Sequence, residues 1–346
     1  MKAMVGSTMR KGWRSLAIAF MVCWVAIALN ACNPNYFRTQ TAQVSQIVAR
    51  TPSDPKTFNF ALLNSYPNVF TFTYLALVTE NGKGEIEPSL AESWQISDDN
   101  LRYIFTLREG LKWSDGESLT VDDVVFTFND VFFNLQIPTD FRDTFKIGEK
   151  GLLPKIKKLD DRRVEFILPE PFAPFLRTVG SGAIMPAHSL RDSVFEKDAD
   201  GNPKFVSTWG TDTDPTQVVV NGPYKIASYA PTQRVIFERN PYYWRKDEQG
   251  NPLPYVDRIV WQIVDSSDTA LLQFRSGGLD VLDIGAVSFA LLKREDKRGN
   301  FTIYNGGPDS STLFISFNLN QGKRNGKPLI DPIKLRWFNT VEFRQA

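Results

Sequence analysis

Polar and apolar positions alternate from Arg102 to Leu107, with Tyr103, Phe105 and Leu107 on one face, which is the period of a half-buried strand. Arg163 to Leu168 alternates in the same way. Between them the period changes: Val121, Val124, Val125, Phe128, Val131 and Phe132 recur at helical spacing and predict one apolar stripe, as on a helix packed against a sheet. Thr120 with Asp123 three residues on has the spacing of an N-terminal cap, where free N–H groups and the helix dipole favour an acid. Ser114-Asp115-Gly116 reads as a turn, because glycine admits a positive φ, and Asn221-Gly222-Pro223 reads as a bend. The prolines at 169, 171 and 174 forbid a central strand and suggest a chain crossing between domains. Further on, a strand over Ile259 to Val264, a short helix over Asp268 to Ser276 ended by Gly277-Gly278, and a strand over Leu279 to Ile284 predict a βαβ unit with parallel strands. The pattern is mixed α/β, without an internal repeat.

The N-terminus has a different character. Lys2, Arg10, Lys11 and Arg14 precede an almost wholly apolar run from Leu16 to Leu29, which closes on Leu29-Asn30-Ala31-Cys32. At about 14 residues the run is short for a bilayer span, which needs roughly 20, and suits the apolar region of a secretory signal. A leucine, a small residue and a cysteine directly after such a region resemble the lipobox of bacterial lipoproteins, in which cleavage leaves a lipid-bearing cysteine at the new N-terminus. Residues 1–31 are therefore read as a signal peptide, Cys32 as the lipid attachment and residues 32–46, rich in Asn, Gln and Thr, as a polar tether.

Composition narrows the chemistry. The 346 residues carry 40 Lys and Arg against 39 Asp and Glu, so no basic excess points to nucleic acid. Removing the signal takes four of the bases and no acid, leaving a mildly acidic body. His188 is the one histidine, which excludes a two-histidine metal site and leaves any Ser-His-Asp triad dependent on it. Neither a cofactor nor a metal is called for by these residues.

Several blocks carry a family resemblance. L-A-E-S-W (Leu90 to Trp94), F-T-L-R-E-G-L-K-W-S-D-G-E (Phe105 to Glu117) and D-D-V-V-F-T-F (Asp122 to Phe128) resemble the extracellular solute-binding proteins of the family-5 type, the peptide and oligopeptide receptors of ABC importers. L-P-E-P-F-A-P-F (Leu168 to Phe175), N-G-P-Y-K-I (Asn221 to Ile226), E-R-N-P-Y-Y-W (Glu238 to Trp244), F-R-S-G-G-L-D (Phe274 to Asp280), F-N-L-N (Phe317 to Asn320) and F-R-Q-A (Phe343 to Ala346) continue the likeness in the family's order.

The resemblance implies an α/β, periplasmic-binding-protein-like fold of two lobes that close on a peptide, working as a monomer with ABC permease subunits, without catalysis, at the cell envelope. It implies a first lobe from 47–80 and 180–284, an inserted α+β subdomain at 81–179, and a second lobe starting at 285. Asn64, Ser65 and Tyr66 match the loop that contacts peptide in the family, although the same residues also read as a capped turn. Ser316 and Asn318, entering the second lobe, are further ligand-binding candidates. Trp94, Trp113 and Trp244 read as core, and His188 as a surface or core residue.

Other classes remain open on the residues alone. The same fold could bind a chelated metal or a sugar or serve in signalling, and an exported hydrolase would need two carboxylates at the right separation. Asp98-Asp99, Asp122-Asp123 and Asp160-Asp161 all fall where turns or caps are expected. Asn339 to Glu342 has cap-like spacing and predicts a helix at the end of the chain, with Val341, Phe343, Trp337 and Phe338 as its apolar face. Since F-R-Q-A ordinarily opens a longer helix in the family, the chain reads as a C-terminally truncated fragment whose peptide binding is weak or absent. For the anchor, Cys32→Ser should abolish metabolic lipid labelling and release the protein from membranes or leave an unprocessed precursor. Mass spectrometry of the mature N-terminus checks this, and cleavage elsewhere with Cys32 unmodified would refute it.

Overall fold

Alternation decides where the strands run. In the computed structural model, which describes residues 44–62, 67–305 and 315–345, Tyr103, Phe105 and Leu107 are all buried on one face of a strand, as their spacing requires. The chain divides into two compact units, one up to Asp283 and one from Ile284 onward. In chain order, the described strands of the first unit are β1 (Gln46–Thr51), β2 (Val78–Glu80), β3 (Ile86–Pro88), β4 (Ala91–Ile96), β5 (Arg102–Leu107), β6 (Lys155–Lys158), β7 (Arg163–Ile167), β8 (Tyr224–Ala230), β9 (Arg234–Arg239) and β10 (Arg258–Ile263). Its helices are α1 (Val121–Val125, continued as a π-helix over Phe126–Phe132), α2 (Phe141–Thr144), α3 (Phe175–Ser181), α4 (Ala187–Phe195) and α5 (Ser267–Arg275).

These strands make one sheet ordered β1-β10-β9-β8, a second ordered β4-β5-β7-β6, and the small β2-β3 ladder. Only the β1–β10 pair is parallel, with Ala49 opposite Trp261. The buried apolar residues of both four-stranded sheets form one continuous cluster. Its centre is aromatic: the Phe128 ring meets Phe166 at 5.0 Å, Phe145 at 5.2 Å and Phe132 at 5.5 Å, each nearly edge to face. Such contacts contribute about 0.5–1.5 kcal/mol each beyond the area they bury.

The helix predicted after Thr120 is present and its cap is complete. Asp123 Oδ2 accepts the Thr120 N–H at 2.8 Å, while the Thr120 hydroxyl accepts from Asp122. The other Asp123 oxygen accepts the Ala187 N–H at 2.8 Å, so one carboxylate starts α1 and holds the first residue of α4. Burial raises the Asp123 pKa, opposed by these two N–H groups. The regular helix does not run to Phe133, however. From Phe126 the turns widen, because the Thr127 hydroxyl takes the Asp123 carbonyl at 2.7 Å and competes with the helical ladder. Phe126 and Thr127 are thereby buried along with the expected stripe, and Val125 is left half-buried.

β7 also departs from simple alternation, since Glu165 is buried between Val164 and Phe166. The Arg102 guanidinium, on neighbouring β5, donates to its Oε1 from Nε at 2.8 Å and also from Nη2. A carboxylate is tolerated there only because it is paired. The proline-rich stretch after β7 remains in the first unit, leading into α3, which packs along β2.

The expected βαβ unit forms in part. β10 and α5 are in place, but Leu279 to Ile284 makes only an isolated parallel bridge, Val281 to Ala49, on the far side of β1. The reason is a side chain: Asp280 Oδ2 takes the Val48 N–H at 2.8 Å, a donor that a continued ladder would give to a backbone carbonyl.

The second unit contains α6 (Ala286–Gly299), a short β11–β12 ladder (Lys323–Arg324 and Lys327–Pro328), α7 (Pro332–Asn339) and α8 (Val341–Gln345). The predicted terminal helix does begin at Val341. Asn339 is not its cap, because its side-chain amide donates back to the Leu335 carbonyl at 2.9 Å and closes α7. Phe317, Phe338 and Phe343 cluster, with centroids 5.1–6.0 Å apart, while Trp337 and Val341 stay about half exposed.

The bend at Asn221-Gly222-Pro223 has more to do than turn the chain. Asn221 Oδ1 accepts the Leu75 N–H at 2.7 Å, and its amide donates to the Ile184 carbonyl at 3.3 Å. Gly222 N–H donates to the Thr73 carbonyl at 2.8 Å, so closely that a Cβ would lie 2.6 Å from the Thr73 carbonyl carbon. Asn240 closes the far side by donating to the Gly222 carbonyl at 2.9 Å. Gly222→Ala should destabilise the first unit by about 1–3 kcal/mol or more, because backbone cannot yield to the added methyl. Asn221→Ala should cost about 1–3 kcal/mol for stranded buried groups. Urea unfolding followed by tryptophan fluorescence checks both, and a loss under 0.5 kcal/mol (about the scatter of surface substitutions) in each would refute this tie.

Candidate functional site

A cavity of about 260 Å³ opens at the carboxyl end of β1, lined by Ala49, Arg50, Pro52, Val281, Leu282 and Asp283. All six residues belong to the first unit. Its place follows from the topology: β1 and β10 run parallel, the Val281 bridge adds a third parallel segment, and β1 lies between the two. The connection from β10 through α5 thus passes β1 before returning to the sheet. A crevice beyond the carboxyl ends of such strands, where the connections leave in different directions, is where open α/β sheets take ligands.

Each wall is fixed from outside. The Arg50 guanidinium donates from Nε to the Val264 carbonyl at 2.7 Å and from Nη2 to the Asp265 carbonyl at 2.8 Å, tying the end of β1 to the β10–α5 loop. Just past Pro52, Asp54 Oδ1 accepts the Tyr229 hydroxyl at 2.7 Å and the Thr232 N–H at 2.8 Å, anchoring the chain after β1 to the β8–β9 turn. Burial and the Asp54 carboxylate push the Tyr229 pKa up to about 12. Burial alone would raise Asp54, but Thr232, Tyr229 and Lys56 together hold it below its ordinary value. The third wall hangs on Asp280, through its carboxylate on Val48 N–H and its own N–H on the Val48 carbonyl at 2.8 Å.

The residues singled out in the sequence are distributed differently. Asn64, Ser65, Tyr66 and Cys32 lie outside the described residues. Ser316 and Asn318 are in the second unit and exposed, with Asn318 Oδ1 accepting the Asn320 N–H at 3.0 Å. Trp113 is fully buried, and Trp94 and Trp244 pack against the same core, as read. The Trp113 indole N–H faces the buried Asp123 carboxyl without reaching hydrogen-bond geometry. The Arg108 guanidinium lies 4.1 Å over the Trp244 ring. His188 Nε2 lies 2.8 Å from Asp115 Oδ2 at the edge of the same region, a hydrogen bond between two exposed residues. Asp99, Asp122, Asp160 and Asp161 are engaged by turn N–H groups or by Lys158 and Arg163. Among the described residues, no group of three or more His, Cys, Asp or Glu is arranged to hold a metal ion, and no helix is long and apolar enough to cross a membrane. Arg50, Pro52 and Asp283 were not singled out by sequence; Asp280, closing F-R-S-G-G-L-D, was the nearest signal.

Comparison with known proteins gives this geometry its class. Residues 85–346 match the family of bacterial extracellular solute-binding proteins, family 5, and the chain belongs to it. It is 28% identical over 271 residues to a "Probable ABC transporter-binding protein" of Deinococcus radiodurans, covering 76% of this chain and 43% of that protein. It is 24% identical over 331 residues to the oligopeptide-binding protein AliA of Streptococcus pneumoniae, covering 90% of this chain and 47% of that one. Among solved structures, the ABC transporter substrate-binding protein CtaP of Listeria monocytogenes is similar with a TM-score of 0.57 and 26% identity, over 72% of this chain and 47% of CtaP. The fold is therefore that of the family-5 periplasmic binding proteins, mixed α/β. The chain spans about half the length of the curated relatives it matches.

The Arg50 tie generates a prediction. Arg50→Ala should speed amide hydrogen exchange across Asp265 to Thr269 and lower stability by about 1–3 kcal/mol, the range for hydrogen bonds from a charged donor. Arg50→Lys should not restore protection, because an ammonium cannot serve both carbonyls in the fork geometry. Unchanged exchange in both variants, read by mass spectrometry, would show that the loop is held by other contacts.

Proposed function

We propose that this protein is the substrate-binding component of an ABC importer, capturing di- and oligopeptides outside the membrane and delivering them to the permease. The observation that carries this reading is the family match over residues 85–346. The oligopeptide-binding relative AliA supports the ligand class. The cavity agrees in scale: about 260 Å³ is below the ~300–1,000 Å³ of a whole small-molecule site, and suits one or two residues of a longer ligand.

In this reading the first lobe comprises 47–80 and 180–284, with 81–179 inserted, and the second lobe begins at 285. Asn64, Ser65, Tyr66, Ser316 and Asn318 contribute ligand contacts, and the protein acts as a monomer held to the envelope through lipid on Cys32. Binding without catalysis is part of the proposal. A peptide held chiefly by its main chain leaves its side chains in hydrated space, so specificity is broad.

A titration panel of tripeptides, glycosides and chelated metals, followed by calorimetry and NMR up to millimolar ligand, tests the reading. Changing side chains should alter peptide affinity by less than about ten-fold, the value of 1.4 kcal/mol, and blocking both termini should cost more than that. Selective binding of a glycoside or a chelate, or peptide cleavage that scales with protein and survives repurification, would overturn it.

A further inference from the structure

The β11–β12 hairpin of the second unit carries charge that the fold leaves without a partner. Its turn is set locally: Asn325 and Gly326 take positive φ, 53° and 76°, the pair of left-handed residues that a two-residue type I′ turn requires. The ladder it closes puts Arg324 directly opposite Lys327, with Lys323 next along the strand. Like charges directly opposite each other on a ladder are destabilising. No counter-charge offsets this pair, since all three cations are exposed and none makes a hydrogen bond or ion pair with any described residue. The sequence has no Asp or Glu between Asp309 and Asp331, and Asp331 Oδ1 is taken by the Ile333 and Lys334 N–H groups at the start of α7. At the base of the hairpin the Leu329 N–H donates to the Gly322 carbonyl at 3.0 Å, while the Leu329 side chain stays about half exposed. Charge is also segregated along the chain: residues 284–346 carry 10 Lys and Arg against 5 Asp and Glu, whereas residues 32–283 carry 26 against 34.

We propose that this hairpin is a docking finger for an anionic membrane surface, with Lys323, Arg324 and Lys327 meeting the phosphates of phospholipid headgroups. The sign of the partner follows from the sign of the finger, because an anion placed between Arg324 and Lys327 turns their mutual repulsion into a shared attraction. Cations carried at the tip of an exposed hairpin cannot enclose a small ligand, so their complement is a surface. Each Lys or Arg close to an anionic bilayer strengthens binding about five-fold, and the effect fades within a Debye length. Contact through three cations is therefore reversible and weakened by salt. The inference goes beyond the peptide reading and holds whatever solute the protein binds.

The test uses the chain from residue 32 with Cys32→Ser, so that no acyl group carries it to lipid, in flotation with vesicles at low salt. One set of vesicles is phosphatidylcholine alone and the other an equal mixture with phosphatidylglycerol. The protein should float with the mixed vesicles, stay behind with the neutral ones, and be released by added salt. Lys323→Gln, Arg324→Gln and Lys327→Gln together should weaken binding about 100-fold, at about five-fold for each cation. The control changes Lys83, Lys155 and Lys157 to Gln, three exposed and equally unpaired cations of the first unit, and should bind as the parent does. Both variants should melt as the parent does, since none of the six side chains holds another element. Equal flotation with neutral vesicles, none with the mixed ones, or full binding by the hairpin variant would overturn the proposal. So would an equal loss in the control, which would assign the effect to net charge. Displacement by soluble polyglutamate as effective as that by competing phosphatidylglycerol vesicles would make the partner an acidic polypeptide and overturn the assignment to lipid.

Discussion

The first unit is organised around buried backbone that must find partners. Thr73, Leu75 and Ile184 would leave carbonyl and N–H groups unpaired inside the core, and the segment Asn221-Gly222 supplies the missing partners from a distant part of the chain. Glycine lets the backbones approach within hydrogen-bonding range, and the asparagine amide both accepts and donates in one place. Tyr74 belongs to the same tie: its hydroxyl donates to the Val219 carbonyl at 2.7 Å, and burial raises its pKa well above the ordinary tyrosine value. Because Tyr224 and β8 follow immediately, this knot sets where the β1-β10-β9-β8 sheet begins. Through that sheet it sets where the cavity lies.

Charge in this protein divides into what the fold consumes and what it leaves over. Asp123 and Glu165 are buried acids, the first with both oxygens matched to backbone N–H groups and the second with Oε1 held by two Arg102 donors, and both hold elements together. Asp54 and Asp280 do the same at the surface, fastening the chain on either side of the cavity. Asp283 differs because it makes no hydrogen bond or ion pair with any described residue.

The family motifs acquire physical reasons in the same way. F-T-L-R-E-G-L-K-W-S-D-G brings Arg108 over Trp244 and packs Gly116 against Tyr242, so that it and E-R-N-P-Y-Y-W are two halves of one contact. The turn at Ser114 is fastened to Val220 by reciprocal hydrogen bonds at 2.8 and 3.0 Å, one residue before the Asn221 knot. These blocks are scaffold. The cavity residues Arg50, Pro52 and Asp283 lie outside them.

Local physics was legible in the residues. The alternation of β5, the cap at Thr120 and Asp123 and the turn at Gly116 each depend on neighbours within a few positions, and each is where the spacing placed it, while the helix at Val341 forms without the Asn339 cap its spacing implied. The family was legible too, because its blocks recur in order along the chain. Tertiary structure decided the rest. Glu165 reads as the exposed position of an alternating strand until Arg102 on the adjacent strand allows its burial. Leu279 to Ile284 has the pattern of a strand, yet a side chain 232 residues from Val48 takes the donor that would have extended it. The stripe of α1 was visible, but its widening into a π-helix depended on how one threonine hydroxyl competes inside a packed core. In the cavity, Arg50 and Asp283 are 233 positions apart, and no local period links them. A spacing rule reports which face a residue occupies; which distant group it meets there is set by how the chain closes on itself.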